Sequence, residues 1–425
     1  MTWERVALRD LGRWFGGATP SKGNPAFWTN GTIPWLSPKD MGSEVLPGTQ
    51  DFITAEAIAG SSVRLVPANS VAVVVRSGIL ERTLPVALVP FETTLNQDMK
   101  AVVPREDIDP RWIAWGLRAF ERDLLRTTRK AGTTVASIEM PRFNLFEFPV
   151  PPVAEQRRIV EILEDHLSRL DAAERQLASA AARVAALRRG LLEAAVAPVR
   201  GSDAKPIAEA TTGARSDITI GPFGSNLTRK DYRTSGVPLV FVRHVRSGDF
   251  RSGVHYVAPS KALELVAHEA LDGDVCMTKM GDPPGDTAVY RGPPAVITAD
   301  VLRLRVSAQH EPEYVAMALA GQHSHRQVLS ITRGVAQKKV SLARFRSSVT
   351  IHLPSIDEQR IRVATFRGYA EALDRQLTVI RAAQTRGAAL RRGVLAAAFE
   401  GKLTGRHTDA EVIEAAVAEP HGEGT

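Results

Sequence analysis

The segment Pro151-Pro152-Val153-Ala154-Glu155-Gln156-Arg157 returns in the second half of the chain as Pro354-Ser355-Ile356-Asp357-Glu358-Gln359-Arg360, and each copy opens a long Ala- and Arg-rich stretch. The register then holds without a gap. Leu187-Arg188-Arg189-Gly190 stands against Leu390-Arg391-Arg392-Gly393, and Leu192, Ala194 and Ala195 against Leu395, Ala397 and Ala398. A repeat of a few dozen residues builds a solenoid, whereas a repeat of half a chain builds two domains related by pseudo-symmetry. The chain is a tandem duplication, and a duplicated chain has two equivalent jobs.

The stretches 152–196 and 356–400 are rich in Ala, Leu, Arg, Gln and Glu and free of internal proline, so both predict long helices. Their apolar residues recur every seventh position: Leu163, Leu170, Leu177, Val184 and Leu191 in the first, and Phe366, Leu373, Ile380, Gly387 and Val394 in the second. Ala173, Ala180, Ala194, Ala383 and Ala397 are the small companions expected beside this seam. A sustained heptad seam signals a coiled coil, and each seam is the natural partner of the other. Two copies related by a pseudo-twofold axis pack antiparallel, with the intervening domains at opposite ends of helices about 65 Å long.

Those intervening segments predict β-rich domains. Short apolar runs such as Val71–Val75, Val86–Val89 and Pro238–Val242 are bounded by Gly, Pro, Asn and Asp, and a helix is expected near each end, over Pro110–Arg126 and Glu313–Leu329. They repeat only loosely: Gly31–Leu36 matches Gly236–Val240, Asn96-Gln97-Asp98-Met99 lies opposite Thr298-Ala299-Asp300-Val301, and Gly132 corresponds to Gly334. The expected fold class is α+β, two pseudo-symmetric β-rich domains (1–150 and 199–353) separated by two long antiparallel coiled-coil helices (151–198 and 354–405), with an acidic tail over 406–425. Where copies agree they do the same thing twice; where they diverge they recognise two different things.

Composition narrows the function classes. The start is charged and has no apolar h-region, and the longest apolar runs are too short to cross a bilayer, so a cytoplasmic protein away from membranes is expected. One cysteine, Cys276, rules out an internal disulfide and any multi-cysteine zinc site; its apolar surroundings read as a buried inert thiol. The formal charge of +7, concentrated partly in the second half, points toward phosphate-rich partners.

Over nearly its whole length the chain resembles the specificity subunits of type I restriction-modification enzymes. The resemblance rests on Pro151-Pro152 with Glu155-Gln156-Arg157, on Pro354 with Glu358-Gln359-Arg360, on the closing Ala398-Phe399-Glu400-Gly401-Lys402-Leu403, and on Gly334-Val335-Ala336-Gln337. The first copy departs from it, with Thr133-Thr134-Val135 after Gly132 and no full closing motif after Ala194-Ala195-Val196. The resemblance implies a DNA-associated subunit without catalysis of its own. One target-recognition domain would read each half of a split double-stranded target. The helices would act as spacers and dock two adenine-N6 methyltransferase subunits and, through them, restriction subunits. S-adenosylmethionine, ATP and Mg would belong to those partners, leaving no cofactor and no metal here.

Three segments of the chain resemble fragments of catalytic, phosphate-binding or metal motifs. Asp282-Pro283-Pro284 looks like the start of an adenine methyltransferase motif, but Gly285 follows where an aromatic ring is needed. Gly16–Lys22 has the wrong order for a phosphate loop, and His323-Ser324-His325 lacks a third metal ligand in view. Candidate DNA contacts are Lys22, Lys39, Arg76, Lys130, Thr133 and Thr134 in the first domain, and Arg229, Lys230, Arg233, Arg243, His244, Arg246, Lys279, Arg333, Gln337, Lys338 and Lys339 in the second. Arg and Lys can read guanine and Gln adenine, while most basic contacts grip phosphate. Candidate coiled-coil and partner residues are the two Glu-Gln-Arg triplets and the seam residues above. Arg188-Arg189 and Arg391-Arg392 could face DNA or a partner. On sequence alone two rivals stay open: a coiled-coil adaptor carrying two β-rich protein-binding domains, and a self-sufficient methyltransferase.

Overall fold

The computed structural model describes residues 3–130, 135–199, 203–281, 283–333 and 339–403. The chain forms two compact units: unit 1 takes the residues up to Ala178 and those from Arg381 onward, and unit 2 runs from Ser179 to Ile380. Each unit thus owns one β-rich domain and one end of each long helix. The first long helix spans Val153–Ala195 and the second Ile356–Phe399. No described helix is long and apolar enough to cross a membrane.

Unit 1 closes its termini with a ladder between Glu4–Ala7 and Glu147–Val150. Its main sheet is antiparallel, in the order Gly12–Gly16, Met99–Pro104, Ser70–Val74, Val86–Val89. A second sheet sets Ile33–Leu36 between antiparallel Asp51–Ile53 and parallel Thr94–Leu95. Ser70–Val74 is buried on both faces, which is why it reads as an unbroken apolar run. Asp109 caps the helix Pro110–Ala119 by accepting the Arg111 N–H at 2.9 Å, Pro110 fits the first turn, and Trp112, Ile113, Trp115 and Leu117 go into the core.

Unit 2 repeats this topology. Lys205–Pro206 pairs with Thr350–Ile351, and the main sheet runs Ile218–Ile220, Val301–Leu304, Val275–Thr278, Thr287–Val289. Val237–Val240 lies between antiparallel Tyr256–Val257 and parallel Ala295–Ile297, with Glu269–Ala270 added at the edge. The expected helices Pro110–Arg126 and Glu313–Leu329 are each broken in two, at Phe120 and at Gly321. Phe120 turns its ring onto Phe146, Phe148 and Phe399, and Gly321 adopts an extended conformation where a Cβ would meet Val196 at 2.8 Å.

Within each unit the long helices run antiparallel. In unit 1, Ile159, Leu163 and Leu167 share a core with Val394, Ala398 and Phe399, and Arg391 ion-pairs with Asp171. In unit 2, Arg188 approaches Asp374 at 3.9 Å and Arg362 donates to the carbonyls of Ala195 and Ala197. The seam residues Leu163, Val184, Leu373 and Val394 are buried, and Leu170, Leu177, Leu191, Phe366 and Ile380 half-buried. The companions differ in part from expectation: Ala397 is buried and Ala180 and Ala383 half-buried, but Ala173 and Ala194 face outward. Leu167, Glu174 and Ala181 take the inward places, because four residues on from a seam position the helix returns to the same face.

Candidate nucleic-acid interface

The two Glu-Gln-Arg triplets do the same work in both units. Gln156 is fully buried: its carboxamide oxygen accepts the Asp109 N–H at 2.9 Å, and its amide donates to the Pro151 and Asp107 carbonyls at 2.7 and 3.1 Å. Gln359, also fully buried, accepts the Glu311 N–H at 2.9 Å, donates to the Pro354 carbonyl at 2.8 Å and faces His310 Nδ1 at 3.0 Å. Asp109 and Glu311 are the N-cap residues of the domain helices, and Arg157 and Arg360 approach their carboxylates at 3.7 and 3.9 Å. The glutamines were expected among partner-facing residues. Complete burial places them instead as staples between each long helix and its own domain. Glu155 is half-buried and Glu358 pairs with Arg362 at 2.7 Å.

The closing motif is likewise internal. Phe399 lies 4.3 Å from Trp112, Gly401 turns with φ +73° against the Trp3 ring, and Leu403 is buried.

The candidate DNA contacts gather at matching places. In unit 1, Arg76 bridges Ser137 in a short ladder and ion-pairs with Asp98 at 3.3 Å, and the Lys130 N–H donates to the Ser137 carbonyl. Thr133 and Thr134 lie outside the described residues. In unit 2, Thr332–Arg333 pairs with Lys339–Val340, and Lys339 bridges Met280. Gln337 and Lys338 lie outside the described residues, as does Asp282. The bridges Arg76 with Ser137 and Met280 with Lys339 thus lie just beyond equivalent strands, Ser70–Val74 and Val275–Thr278.

A second basic group surrounds an aromatic cluster. Tyr232 stacks on His255 at 5.5 Å, Phe241 packs on both, and the Arg243 guanidinium lies 4.4 Å over the Phe241 ring. Arg229, Lys230 and Arg233 are exposed nearby in sequence, and Arg233 donates to the Lys230 and Tyr232 carbonyls. Lys22 is exposed and apart from these groups; Lys39 is held by Asp51 at 2.8 Å, an ion pair that keeps its ammonium above the ordinary lysine range.

Two candidates are largely buried. His244 is buried, its Nδ1 accepting the Phe241 N–H at 3.2 Å, and burial first, then Arg243, hold it below the usual imidazole range. It caps a turn and cannot meet DNA. Lys279 is only 7% exposed, with its ammonium 4.3 Å over the Phe223 ring. Burial pushes it below the ordinary lysine range, with Lys339 adding to the effect and Asp300 opposing it. Arg246 is exposed but paired with Asp286 at 2.9 Å. Phe223, 58% exposed and in contact with Lys279, was missed; its signal was a ring in the turn Gly221-Pro222-Phe223-Gly224.

Cys276 is fully buried and its thiol pushed far up by desolvation, so it holds no nucleophile at neutral pH. Among the described residues no cluster of His, Cys, Asp or Glu could hold a metal, and His323 is occupied with Thr350 and Gln327.

The same framework is built twice, with different residues at equivalent strand ends. Residues 1–180 match the family model for the type I restriction modification DNA specificity domain, and the chain is similar to specificity subunits of type I restriction enzymes, spanning less than half the length of some of these relatives. It is 50% identical over 161 residues to the specificity subunit of the Escherichia coli type I restriction enzyme EcoR124I/EcoR124II, covering 38% of this chain and 40% of that relative's length. It is 22% identical over 330 residues to the EcoKI specificity subunit of Escherichia coli K12, 74% of this chain and 70% of that one. Its fold matches a chain in a study of complex assembly and conformational transition of a type I R-M system, with a TM-score of 0.73 over 94% of this chain and 98% of that chain at 18% identity. The HsdS subunit from Thermoanaerobacter tengcongensis matches with a TM-score of 0.52 at 19% identity, over 94% and 97%.

Proposed function

We propose that the chain is the DNA-reading subunit of a type I restriction-modification complex, unit 1 reading one half of a split double-stranded target and unit 2 the other. The observation that supports this reading is the same sheet topology in both units with different residues at equivalent strand ends, Arg76 in one and Met280 in the other. The long helices set the gap between half-sites and dock two adenine-N6 methyltransferase subunits, through which restriction subunits join. S-adenosylmethionine, ATP and Mg act in those partners, and this chain contributes recognition without a catalytic step of its own. The complex works in the cytoplasm, on DNA.

The test is to co-express the chain with a methyltransferase partner and map methylated adenines across the host genome. Two short specific blocks separated by a fixed gap are expected. One continuous recognition site would overturn the reading, as would binding that does not weaken with salt, since neutralised phosphates release counterions.

A further inference from the structure

The two units share a framework, so a place where their side chains differ in concert deserves a functional reading. Gly17 and Gly221 are structural counterparts: the Gly17 N–H donates to the Met99 carbonyl and the Gly221 N–H to that of Val301, at 3.3 and 3.2 Å. A Cβ would strike the backbone of Asn96 at 1.8 Å in the first and of Thr298 at 2.1 Å in the second. Both loops are therefore pinned at their base. Counting on from the glycines, Phe223 stands where unit 1 has Thr19.

Lys279 has its own counterpart. The Val75 and Arg76 N–H groups both donate to the Asp98 carbonyl, and those of Lys279 and Met280 both donate to the Asp300 carbonyl. Lys279 thus occupies the place of Val75, an apolar core position. Unit 2 has put a ring and an ammonium where unit 1 has a small hydroxyl side chain and an aliphatic one, at two positions far apart in sequence.

Neither residue is explained by stability. Placing a lysine at a largely buried position is costly unless its charge is compensated, and among the described residues Lys279 makes no ion pair or hydrogen bond through its side chain; the Phe223 ring 4.3 Å away and the charge of Asp300 favour its ammonium. That ring in turn leaves 58% of its residue in solvent. The cation holds one surface of the ring while the rest faces outward, rigid on a pinned loop. An apolar ring edge is suited to a thymine methyl in the major groove, a contact that tells A·T from G·C.

We propose that Phe223 and Lys279 form a base-reading head specific to unit 2, in which the exposed ring meets a base edge of one half-site and the buried ammonium holds it in position. This rests on the DNA-reading function proposed above. The first half-site, read through Thr19 and Val75 surroundings, does not depend on it.

The test uses the full chain with its methyltransferase partner, mapping genomic adenine methylation for the wild type and for Phe223→Ala, Phe223→Leu and Lys279→Met, with thermal unfolding of each purified complex. The Phe223 variants should relax discrimination at one base pair of one half-site by roughly tenfold or more, leaving the other half-site unchanged. Lys279→Met should relax the same base pair while its Tm stays level or rises, because an unpaired buried charge has been removed; a merely structural lysine would lower Tm. Unchanged base preference in both Phe223 variants overturns the proposal. So does a uniform loss of methylation without any change of preference in Lys279→Met, which would make the lysine a phosphate grip, or a fall in Tm that accompanies loss at both half-sites. Absence of a two-part target in the wild type would instead overturn the DNA-reading function itself.

Discussion

Gln156 and Gln359 illustrate how a motif residue is understood only with its surroundings. A fully buried carboxamide that satisfies one backbone donor and two acceptors costs little while intact and much when broken, because each orphaned group keeps its desolvation penalty. Gln156→Leu should therefore destabilise unit 1 by about 2–4 kcal/mol in denaturant unfolding. A change within about 0.5 kcal/mol would mean that the staple is dispensable. A second residue-scale consequence concerns acid. His244, His310 and His352 are all held below the ordinary imidazole range, with burial the leading cause in each. Their folded forms bind protons less readily than the unfolded chain, so the stability they confer is complete above about pH 6.5 and is lost as pH falls below it. Tm should drop between pH 7.5 and pH 5.5, and His244→Asn, which keeps an acceptor for the Phe241 N–H but does not titrate, should drop less. Equal drops would remove His244 from the account. None of this could be read from the chain, where His244 looked like one more cation between Arg243 and Arg246: hiding it takes contacts from a strand and a turn that are remote in sequence.

Among the elements, the long helices were the most legible, because helix propensity and a seven-residue period are local properties. Their ends were expected within a residue of Val153–Ala195 and Ile356–Phe399. The β-rich domains were legible as a class but not in topology. Their strands are two to six residues long and the parallel pairing of Ile33–Leu36 with Thr94–Leu95 joins segments with no shared pattern. The seam was legible in its heptads and in the companions Ala180, Ala383 and Ala397, but not at Ala173 and Ala194, since the periodic residues fix the stripe while the packed domain decides which side of it is covered. Burial along the seam is uneven, and that gives an energetic prediction. Leu163→Ala, at a fully buried position in the core of unit 1, should cost about 2–5 kcal/mol, and Leu177→Ala, half-buried, clearly less. Equal costs in matched unfolding experiments would mean that the helix pair, and not the domain beneath it, supplies the burial.

At the scale of the whole molecule the duplication assigns different work to conserved and divergent parts. Each unit binds the start of one helix through its glutamine staple and the end of the other, through Phe399 and Leu403 in unit 1 and through Val196 in unit 2. The unit boundaries fall inside both helices, at Ala178 and Ser179 in the first and at Ile380 and Arg381 in the second. Under the proposed function the number of helical residues between the staples is then a length standard. Adding one heptad at both boundaries preserves the seam and lengthens the pair by about 10 Å, or about three base pairs of duplex. The methylated target should keep both half-sites and widen its gap by about that amount. Adding the heptad to one helix alone shifts one seam against the other, separates pairs such as Arg391 with Asp171, and should abolish specific methylation instead of lengthening the gap. If the double insertion changed the bases read, the helices would be shaping the reading heads themselves, and the division of labour between shared scaffold and divergent loops would fail.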